Sequence, residues 1–353
     1  MIDSDTTYPY VLVSGSPYEM GVQHGEQCRD RVHQFLDMIL SAVVKGKVTR
    51  ADVLHRTKSF CPFFERLSPN MVEEIRGLAN GSGLSFEEAM LLQIRGEIGN
   101  VHDGGCTTFV VSGDGTENGK LLIGQNSDMS PEQEEVGMIL HLVPDKGPRI
   151  LMWTFGGHLG YHGMNSAGVA HFANALGGGP VWRKGLPHYP IKRVMLEQTT
   201  VTEVLAILKD HPVCSSGNYV LTGGCKTIED IELTPAGFER LGDNKEGFIV
   251  HSNHFLCGRF RTEETDAASI QDSFLRYERM RALIKDQFGG INAWAMQEIL
   301  SDHANYPLSI CRHLQDSDNV GKTVACLIAE PEAGNFHVSK GNPCENNFVT
   351  HVV

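Results

Sequence analysis

The sequence predicts an α+β fold in which helices and antiparallel strands form separate layers. Three observations carry this prediction. Apolar residues at helical spacing dominate residues 16–100, short strand-like runs separated by turns follow from residue 106, and helical and strand patterns then alternate to the C-terminus. With 353 residues, 41% of them hydrophobic, the chain is long enough to bury a substantial core.

Start signals mark the N-terminal helices. Ser16 and Glu19 form a capping box, with a proline between them in the first helical turn, and apolar residues follow at helical spacing. Similar signals predict further helices starting at Asn70 and at Ser85. Apolar spacing predicts another helix over residues 51–66.

Four short runs rich in β-branched and large apolar residues begin at Cys106. They read TTFVVSG, KLLIGQNSD, GMILHLV and RILMWTF, with turn sequences such as Asp114-Gly115 and Asn118-Gly119 between them. This pattern predicts a meander of antiparallel strands, and the three glycines and a proline at 177–180 predict a loop. Later helices are predicted over 187–210, 269–286 and 291–302, and later strands over 217–223, 228–233 and 322–330.

The composition argues against several classes of partner. The 30 basic residues are outnumbered by 43 acidic ones, and no basic stripe interleaved with aromatic residues is present, so we expect no nucleic-acid partner. The longest apolar runs are shorter than the roughly 20 residues of a membrane span. The first residues lack the basic flank and apolar segment of a secretory signal. We therefore expect no membrane partner and a cytoplasmic location.

The cysteines and histidines suggest no bound ion. Nine cysteines are scattered along the chain without a CxxC pair, which favours neither a disulfide framework nor a common zinc site. His158, His162 and His171 lie in and near a glycine-rich segment, which is unsuited to a stable helix that would aim their rings at one ion. We expect no metal and no cofactor.

Cys106 differs from the other cysteines in its surroundings, HDGGCTTFVV. A thiol is a strong nucleophile that needs a base nearby. If the bond before Cys106 is cut, its new α-amine, with an ordinary pKa of about 7.7–8.0, can be that base. Gly105 has no side chain to block attack on its carbonyl. Taken alone, however, a cysteine behind glycines at a strand start is more often a packed core residue.

Cys106 lies in one of six sequence blocks that we interpret together. In chain order, they are GSPYEMGVQHG, DGGCTTF, GQNSD, GMNSAGVAHFANAL, HSNHF and NYPLSICRH. Together they resemble the acyl-coenzyme A:6-aminopenicillanic acid acyltransferase family, N-terminal-nucleophile enzymes that cut their own chain before a cysteine. Bile-salt hydrolases and penicillin V acylases are similar at a greater distance. The resemblance implies a four-layer α-β-β-α sandwich with a helical N-terminal segment, residues 1–105. Residues 106–353 carry the nucleophile, and the two parts form one integrated domain.

The resemblance also implies roles at the cleavage site. Gly105-Cys106 is implied as the bond that the protein cuts in itself, and Cys106 as the nucleophile and, through its freed amine, the general base. Asp128, from GQNSD, is implied to hold the α-ammonium or to steer the thiol. Read from its residues alone, an aspartate after an asparagine at a strand end is a turn cap.

Three further side chains follow from the same blocks. Asn253 and, with weaker support, Asn174 are implied as oxyanion donors, and Arg312 as the brace of the catalytic aspartate and nucleophile. Read from the residues alone, Asn253 is an asparagine in a turn at a strand end, and Arg312 forms a surface salt bridge. The chain departs from the family pattern at Ser127, in place of a tryptophan, and has Gln125 where bile-salt hydrolases have an arginine.

The resemblance implies a self-processing cysteine amidohydrolase or acyltransferase that acts on a linear N-acyl amide through a Cys106 thioester. Its partners would be a small-molecule N-acyl amide or acyl thioester and its own cleaved N-terminal fragment, and acyl-coenzyme A could be the acyl donor. Two alternatives remain open. One is an unprocessed papain-like thiol hydrolase that uses His254 or His313, and the other is a non-catalytic binding protein of the same fold.

Overall fold

The computed structural model describes residues 6–98, 105–176, 184–223, 227–242, 245–261, 267–314 and 321–353. In these ranges two β-sheets pack face to face with helices on both outer faces, so the predicted four-layer α-β-β-α fold is confirmed. None of the helices in these ranges is long and apolar enough to cross a membrane. The loop predicted at 177–180 and the residues directly before Gly105 lie outside the described residues.

The larger sheet of the described chain has eight strands. In spatial order, they are β1 (Tyr10–Gly15), β4 (Gly137–Pro144), β5 (Ile150–Phe155), β6 (His162–Asn165), β7 (Ala170–Ala175), β8 (Gly217–Gly223), β9 (Thr227–Thr234) and β10 (Gly237–Arg240). Numbering follows the chain. The β1–β4 pair is parallel, and the other neighbours are antiparallel.

The smaller sheet is antiparallel throughout. Its strands, in spatial order, are β11 (Phe248–His251), β2 (Gly105–Val111), β3 (Leu122–Met129), β12 (Lys322–Glu330), β13 (Asn335–Lys340) and β14 (Phe348–Val352). The prediction of one meander was therefore wrong, because β2 and β3 belong to this sheet while β4 and β5 belong to the larger one. The chain crosses between the sheets through Pro131 and the short helix α7 (Glu132–Val136).

The outer layers are helical. The larger sheet is covered by α1 (Pro17–Gln27), α2 (Arg29–Val43), α3 (Arg50–Thr57), α4 (Cys61–Leu67), α5 (Pro69–Ser82), α6 (Phe86–Leu92), α8 (His188–Leu196) and α9 (Val201–Asp210). The smaller sheet is covered by α10 (Ala267–Asp286) and α11 (Ala293–Leu300). The apolar faces of both layers pack on the sheets, which buries the core.

Local signals predicted some helix boundaries better than others. The capping boxes at Ser16 and Ser85 are present, but the start expected at Asn70 was wrong. The Ser68 hydroxyl caps that helix by accepting from the Met71 amide, because Pro69 already fits the first helical position. The single helix predicted over 51–66 divides at residues 58–60, before the proline in α4, and the pattern over 187–210 forms two helices.

Helices α1 and α5 cross with their backbones in direct contact. A Cβ atom at Gly77 would lie 2.1 Å from the carbonyl oxygen of Tyr18, and one at Gly21 would lie 2.1 Å from that of Glu74. No side chain fits at either position, so glycine sets the distance between the two helices.

We expect Gly77→Ala to lower the free energy of unfolding by at least about 1–3 kcal/mol, because the helices must move apart to admit the methyl group. Urea unfolding of the variant and wild type measures this difference. Gly258→Ala is the control, since a Cβ atom there meets nothing within 4 Å. Equal losses in the two variants would contradict the proposed close contact.

Candidate active site

Cys106 lies at the start of β2, between the two sheets. Its side chain is only 4% exposed and lines a pocket whose other walls come mainly from β7 and β8 of the larger sheet and from helix α8. In the order of elements along the chain, Gly105 and Cys106 open β2, the first strand after the N-terminal helices.

The register of β2 and β3 brings Asp128 to this bond. Gly105 lies opposite Asp128, and Cys106 lies opposite Ser127. The Asp128 carboxylate is fully buried, and its Oδ1 accepts a 2.7 Å hydrogen bond from the Thr323 hydroxyl of β12. Its Oδ2 has no hydrogen-bond partner among the described residues. One carboxylate oxygen is therefore held, and the other has capacity for a proton or a donor.

Two buried guanidinium groups flank the same peptide. A Cβ atom at Gly105 would lie 3.6 Å from a guanidinium nitrogen of Arg276 and 3.6 Å from one of Arg312. Both arginines bind one carboxylate oxygen of Asp272, at 3.0 Å from Arg276 and 2.5 Å from Arg312. Arg276 also donates to the carbonyl oxygen of Cys106 at 2.6 Å. Asp272 therefore holds both guanidinium groups beside the predicted cleavage site.

Asn253 contacts the backbone of the nucleophile directly. Its Oδ1 accepts from the Cys106 amide nitrogen at 2.9 Å and from Arg276 at 2.9 Å. Its Nδ2 donates to the Ala175 carbonyl at 2.9 Å. One of the two side-chain N–H bonds is thus engaged with the backbone in this conformation, and the oxyanion role implied for Asn253 stays a prediction.

The loop that carries Asn253 is anchored on both sides. The Asn253 amide donates to the Ser273 hydroxyl of α10 at 2.7 Å. Beyond it, the buried Glu232 carboxylate of β9 accepts from the amides of Leu256 and Cys257, at 2.5 and 3.1 Å. The larger sheet and α10 together fix the loop against β2.

Asn174 lines the pocket and belongs to a buried polar chain. Its Oδ1 accepts from the Thr108 hydroxyl at 2.9 Å, and its Nδ2 donates to Asn218 at 2.7 Å. Gln125 donates to the same Thr108 hydroxyl at 2.7 Å, and Ser127 donates to Gln125 at 2.9 Å. The two positions where the chain departs from the resembled enzymes therefore brace each other behind Cys106.

Burial and charge shift the pKa values of the site in different directions. Burial, reinforced by Asp128, raises the pKa of the Cys106 thiol to about 12. Burial also raises the pKa of Asp128 to about 6, although Arg312 and Arg276 oppose this rise. Burial acts on Asp272 too, but the two guanidinium groups outweigh it and hold its pKa below the usual range. In the intact chain the thiol needs a proton acceptor, since it is not ionised near pH 7.

The pocket next to Cys106 is small and charged. Its volume is about 70 Å³, far below the several hundred Å³ of a site for a drug-sized ligand. The Lys192 ammonium lies 4.4 Å from the ring centre of Tyr161 and 5.1 Å from that of Tyr189. Glu97 also lines the pocket. These walls suit a compact polar group better than a long apolar chain.

The histidines considered above as a base or as metal ligands form hydrogen bonds with groups other than the Cys106 thiol. His254, a base in the papain-like alternative, contacts the Ser273 hydroxyl at 2.7 Å, and burial lowers its pKa to about 3. His313 lies 3.3 Å from the sulfur of Cys344. His162 contacts the Lys192 ammonium at 3.2 Å, and His171 contacts the Lys192 carbonyl at 2.8 Å, so these two brace the pocket wall.

The structure brings Cys106, Asp128, Asn253, Asn174 and Arg312 around one strand end, but sequence analysis missed three neighbours. Asp272 and Arg276 are four residues apart on a predicted helix, and this spacing indicates an ion pair without saying what it faces. Nothing in the sequence marks Lys192, whose position follows from packing of α8 on the larger sheet.

Comparisons with known proteins agree with the resemblance. The family model of acyl-coenzyme A:6-aminopenicillanic acid acyl-transferase matches residues 115–345, a range that begins after Cys106. The acyl-coenzyme A:6-aminopenicillanic-acid-acyltransferase 40 kDa form of Emericella nidulans is 28% identical, over 95% of this chain and 93% of the relative. A beta-alanyl-dopamine/carcinine hydrolase of Drosophila melanogaster is 21% identical, over 96% and 94%. A solved variant of Clostridium perfringens conjugated bile acid hydrolase gives a TM-score of 0.46 and 14% identity, over 70% of this chain and 97% of that chain.

We expect Asp128→Asn to stabilise the protein increasingly as the pH rises. The folded-state pKa of about 6 exceeds the ordinary value, so the stability that Asp128 contributes is complete below about pH 4 and is lost as the pH rises through 6. Asparagine does not ionise. The difference in unfolding free energy, variant minus wild type, should therefore increase by about 2–3 kcal/mol between pH 4 and pH 8.

Urea unfolding at both pH values measures this gain. Both proteins should carry Cys106→Ala, so that cleavage of the chain cannot interfere. The exposed Asp37 of α2 provides the control, Asp37→Asn. A difference between variant and wild type that stays constant across the pH range would show that Asp128 does not titrate as its burial predicts.

Proposed function

The chain belongs to the acyl-coenzyme A:6-aminopenicillanic acid acyl-transferase family, and from this we propose that it is a self-processing cysteine enzyme that cleaves or transfers the acyl group of a linear N-acyl amide. One observation carries the proposal. The backbone nitrogen of Cys106, which would become the α-amine, is hydrogen-bonded to Asn253 next to a thiol that lines a charged pocket. Nucleophile, future base and pocket are thus adjacent.

The first step is cleavage of the chain by its own thiol. The Cys106 sulfur attacks the Gly105 carbonyl, the C–N bond breaks, and the thiol proton passes to the departing nitrogen, which becomes the α-amine. Water then hydrolyses the thioester and leaves a carboxylate on Gly105 and a free thiol on Cys106. Residues 1–105 and 106–353 result, and the Asn253 oxygen that accepts from the amide nitrogen is placed to accept from the amine.

The mature enzyme would use the same atoms in turnover. The α-amine takes the thiol proton, the thiolate attacks the substrate carbonyl, and the amine product leaves with that proton. Water or a second amine then takes the acyl group from the thioester. We favour hydrolysis because water is always available as the acceptor, and acyl-coenzyme A would enter only as an alternative acyl donor.

The charged groups around Cys106 would shift the pKa of the α-amine in opposite directions. Arg276 and Arg312 favour the neutral amine, because a nearby cation disfavours the ammonium. Asp128 favours the ammonium that forms after proton transfer. This opposition supports an amine that is neutral before the attack and charged after it.

The pocket supports a substrate with a compact polar group beside its scissile amide. Lys192 and Glu97 offer one cation and one anion, and the volume of about 70 Å³ holds only a few non-hydrogen atoms. The name of the Drosophila relative describes a hydrolase of beta-alanyl-dopamine and carcinine, which supports screening short polar acyl groups on amines first. Longer apolar acyl chains serve as the comparison set.

We expect purified wild-type protein to give two intact masses, for residues 1–105 and 106–353, that co-elute in size-exclusion chromatography. Cys106→Ala should give one full-length mass and no amidase activity, because it lacks both the thiol and the freed amine. Cys106→Ser should cleave more slowly, since a hydroxyl is a poorer nucleophile. Mass spectrometry under denaturing conditions makes the measurement.

Cys61→Ala serves as the matched control and should behave as wild type, because this cysteine lies in α4. An active wild-type enzyme with a single full-length mass would exclude the α-amine as base and favour the papain-like alternative. A single mass without activity toward any N-acyl amide would favour a binding protein.

Arg276→Lys should slow chain cleavage about tenfold or more, because an ammonium cannot reproduce the forked contacts to Cys106, Asn253 and Asp272. Arg276→Met should in addition move the acidic limb of the kcat/KM profile to higher pH, since loss of the cation raises the amine pKa. Arg279→Lys, on the same helix but paired with Asp302, is the control. Identical profiles for the Lys and Met variants would restrict Arg276 to a structural role.

A further inference from the structure

Two cysteines and two histidines from three separate segments meet at one point. They are His303, which follows α11, Cys311 and His313 on either side of Arg312, and Cys344 in the turn between β13 and β14. Their nearest ligand atoms all lie within 4.8 Å of one another. We call these four residues the Cys2His2 cluster. Its spacing along the chain matches no common zinc motif, which is why the sequence predicts no metal here.

Four of the six ligand-to-ligand distances in the cluster are close to the edges of a tetrahedron around a single ion. The sulfurs of Cys311 and Cys344 are 3.6 Å apart, and the Nε2 atoms of His303 and His313 are 3.0 Å apart. His313 Nε2 lies 3.3 Å from one sulfur and 3.8 Å from the other. Zinc with ordinary bond lengths gives edges of about 3.8, 3.3 and 3.6 Å for S–S, N–N and S–N pairs.

Hydrogen bonding alone does not account for this convergence. A single ring nitrogen carries one proton or one lone pair and makes one hydrogen bond. His313 Nε2 nevertheless has three ligand atoms within 3.8 Å: the Nε2 of His303 and the sulfurs of Cys311 and Cys344. A single metal ion between the four residues would bind all of these ligand atoms at once.

The surroundings of Cys311 are also those of a metal ligand. Asn342 donates to the Cys311 sulfur at 3.4 Å and to the Arg312 carbonyl at 2.7 Å. Such outer donors orient a ligating sulfur and stabilise its negative charge. They also tie the cluster to the backbone of Arg312, whose side chain binds Asp272 beside Cys106.

We propose that the Cys2His2 cluster binds one Zn²⁺ ion in a structural site. Thiolate and imidazole ligands in a tetrahedral set are the donors that zinc prefers, and four protein ligands leave no open position for a substrate. The ion would join the loop after α11 to the β13–β14 turn. It would hold the residues on both sides of Arg312, and so fix where that guanidinium group lies.

Zinc analysis of the untagged full-length protein, purified without chelator and dialysed against metal-free buffer, tests the proposal. Wild type should retain about one zinc per chain, and His303→Ala and Cys344→Ser should each retain less than about one tenth of that. A strong chelator should lower the thermal midpoint of wild type, and Zn²⁺ but not Mg²⁺ should restore it. The two variants should not respond to either treatment.

Two substitutions outside the cluster are the controls. His55→Ala removes an exposed histidine of α3 and Cys61→Ser a cysteine of α4, and both variants should keep the zinc of wild type. Wild type that stays zinc-free after incubation with equimolar Zn²⁺ would overturn the proposal. So would a Cys311–Cys344 disulfide in the purified protein, detected by peptide mapping as a loss of two hydrogens. Neither readout depends on the proposed enzyme activity.

Discussion

The candidate site depends on neutralising two buried guanidinium groups beside one peptide bond. Arg276 and Arg312 are both nearly inaccessible to water, and they share a single oxygen of Asp272. Asp128 lies opposite Gly105 on the neighbouring strand. Removing Asp272 would leave buried cations without their shared partner, at a cost of about 3–5 kcal/mol. The positions of α10, the loop after α11 and β3 are therefore coupled to the strand that carries Cys106.

The two carboxylates of this network differ in what they can do. Asp272 contacts both arginines, which hold its pKa below the usual range, so it stays ionised and keeps the cations in place. Asp128 has a pKa near 6 and one oxygen without a partner in the described chain, so its charge can respond to a change at Cys106. When environments separate two pKa values in this way, the group that titrates near neutral pH is the one suited to proton chemistry.

Sequence reasoning succeeded where the signals were local and failed where contacts were distant. The capping boxes at Ser16 and Ser85 depend on neighbours three residues away, and both are present. The assignment of strands to two sheets depends on pairing across the whole chain, and it was predicted wrongly. The same division holds at the site. The family blocks marked Asp128 and Arg312, whereas Asp272, which joins Arg312 to the rest, is recognisable only once α10 lies over β2.

The fold also explains why a cut at residue 105 need not release the N-terminal segment. Strand β1 pairs with β4 along its whole length, so this segment supplies one edge of the larger sheet. The buried Glu74 of α5 binds Arg193 of α8 through two contacts, of 2.8 and 3.0 Å, across the predicted cut. Separating the pieces would expose the apolar faces of α1, α2, α5 and α6 and break the buried ion pair between Glu74 and Arg193, which would leave Arg193 with Glu197 as its ion-pair partner. Since Glu97 of the same segment lines the pocket beside Cys106, the fragment is part of the site, and we expect the cleaved protein to act as one integrated domain.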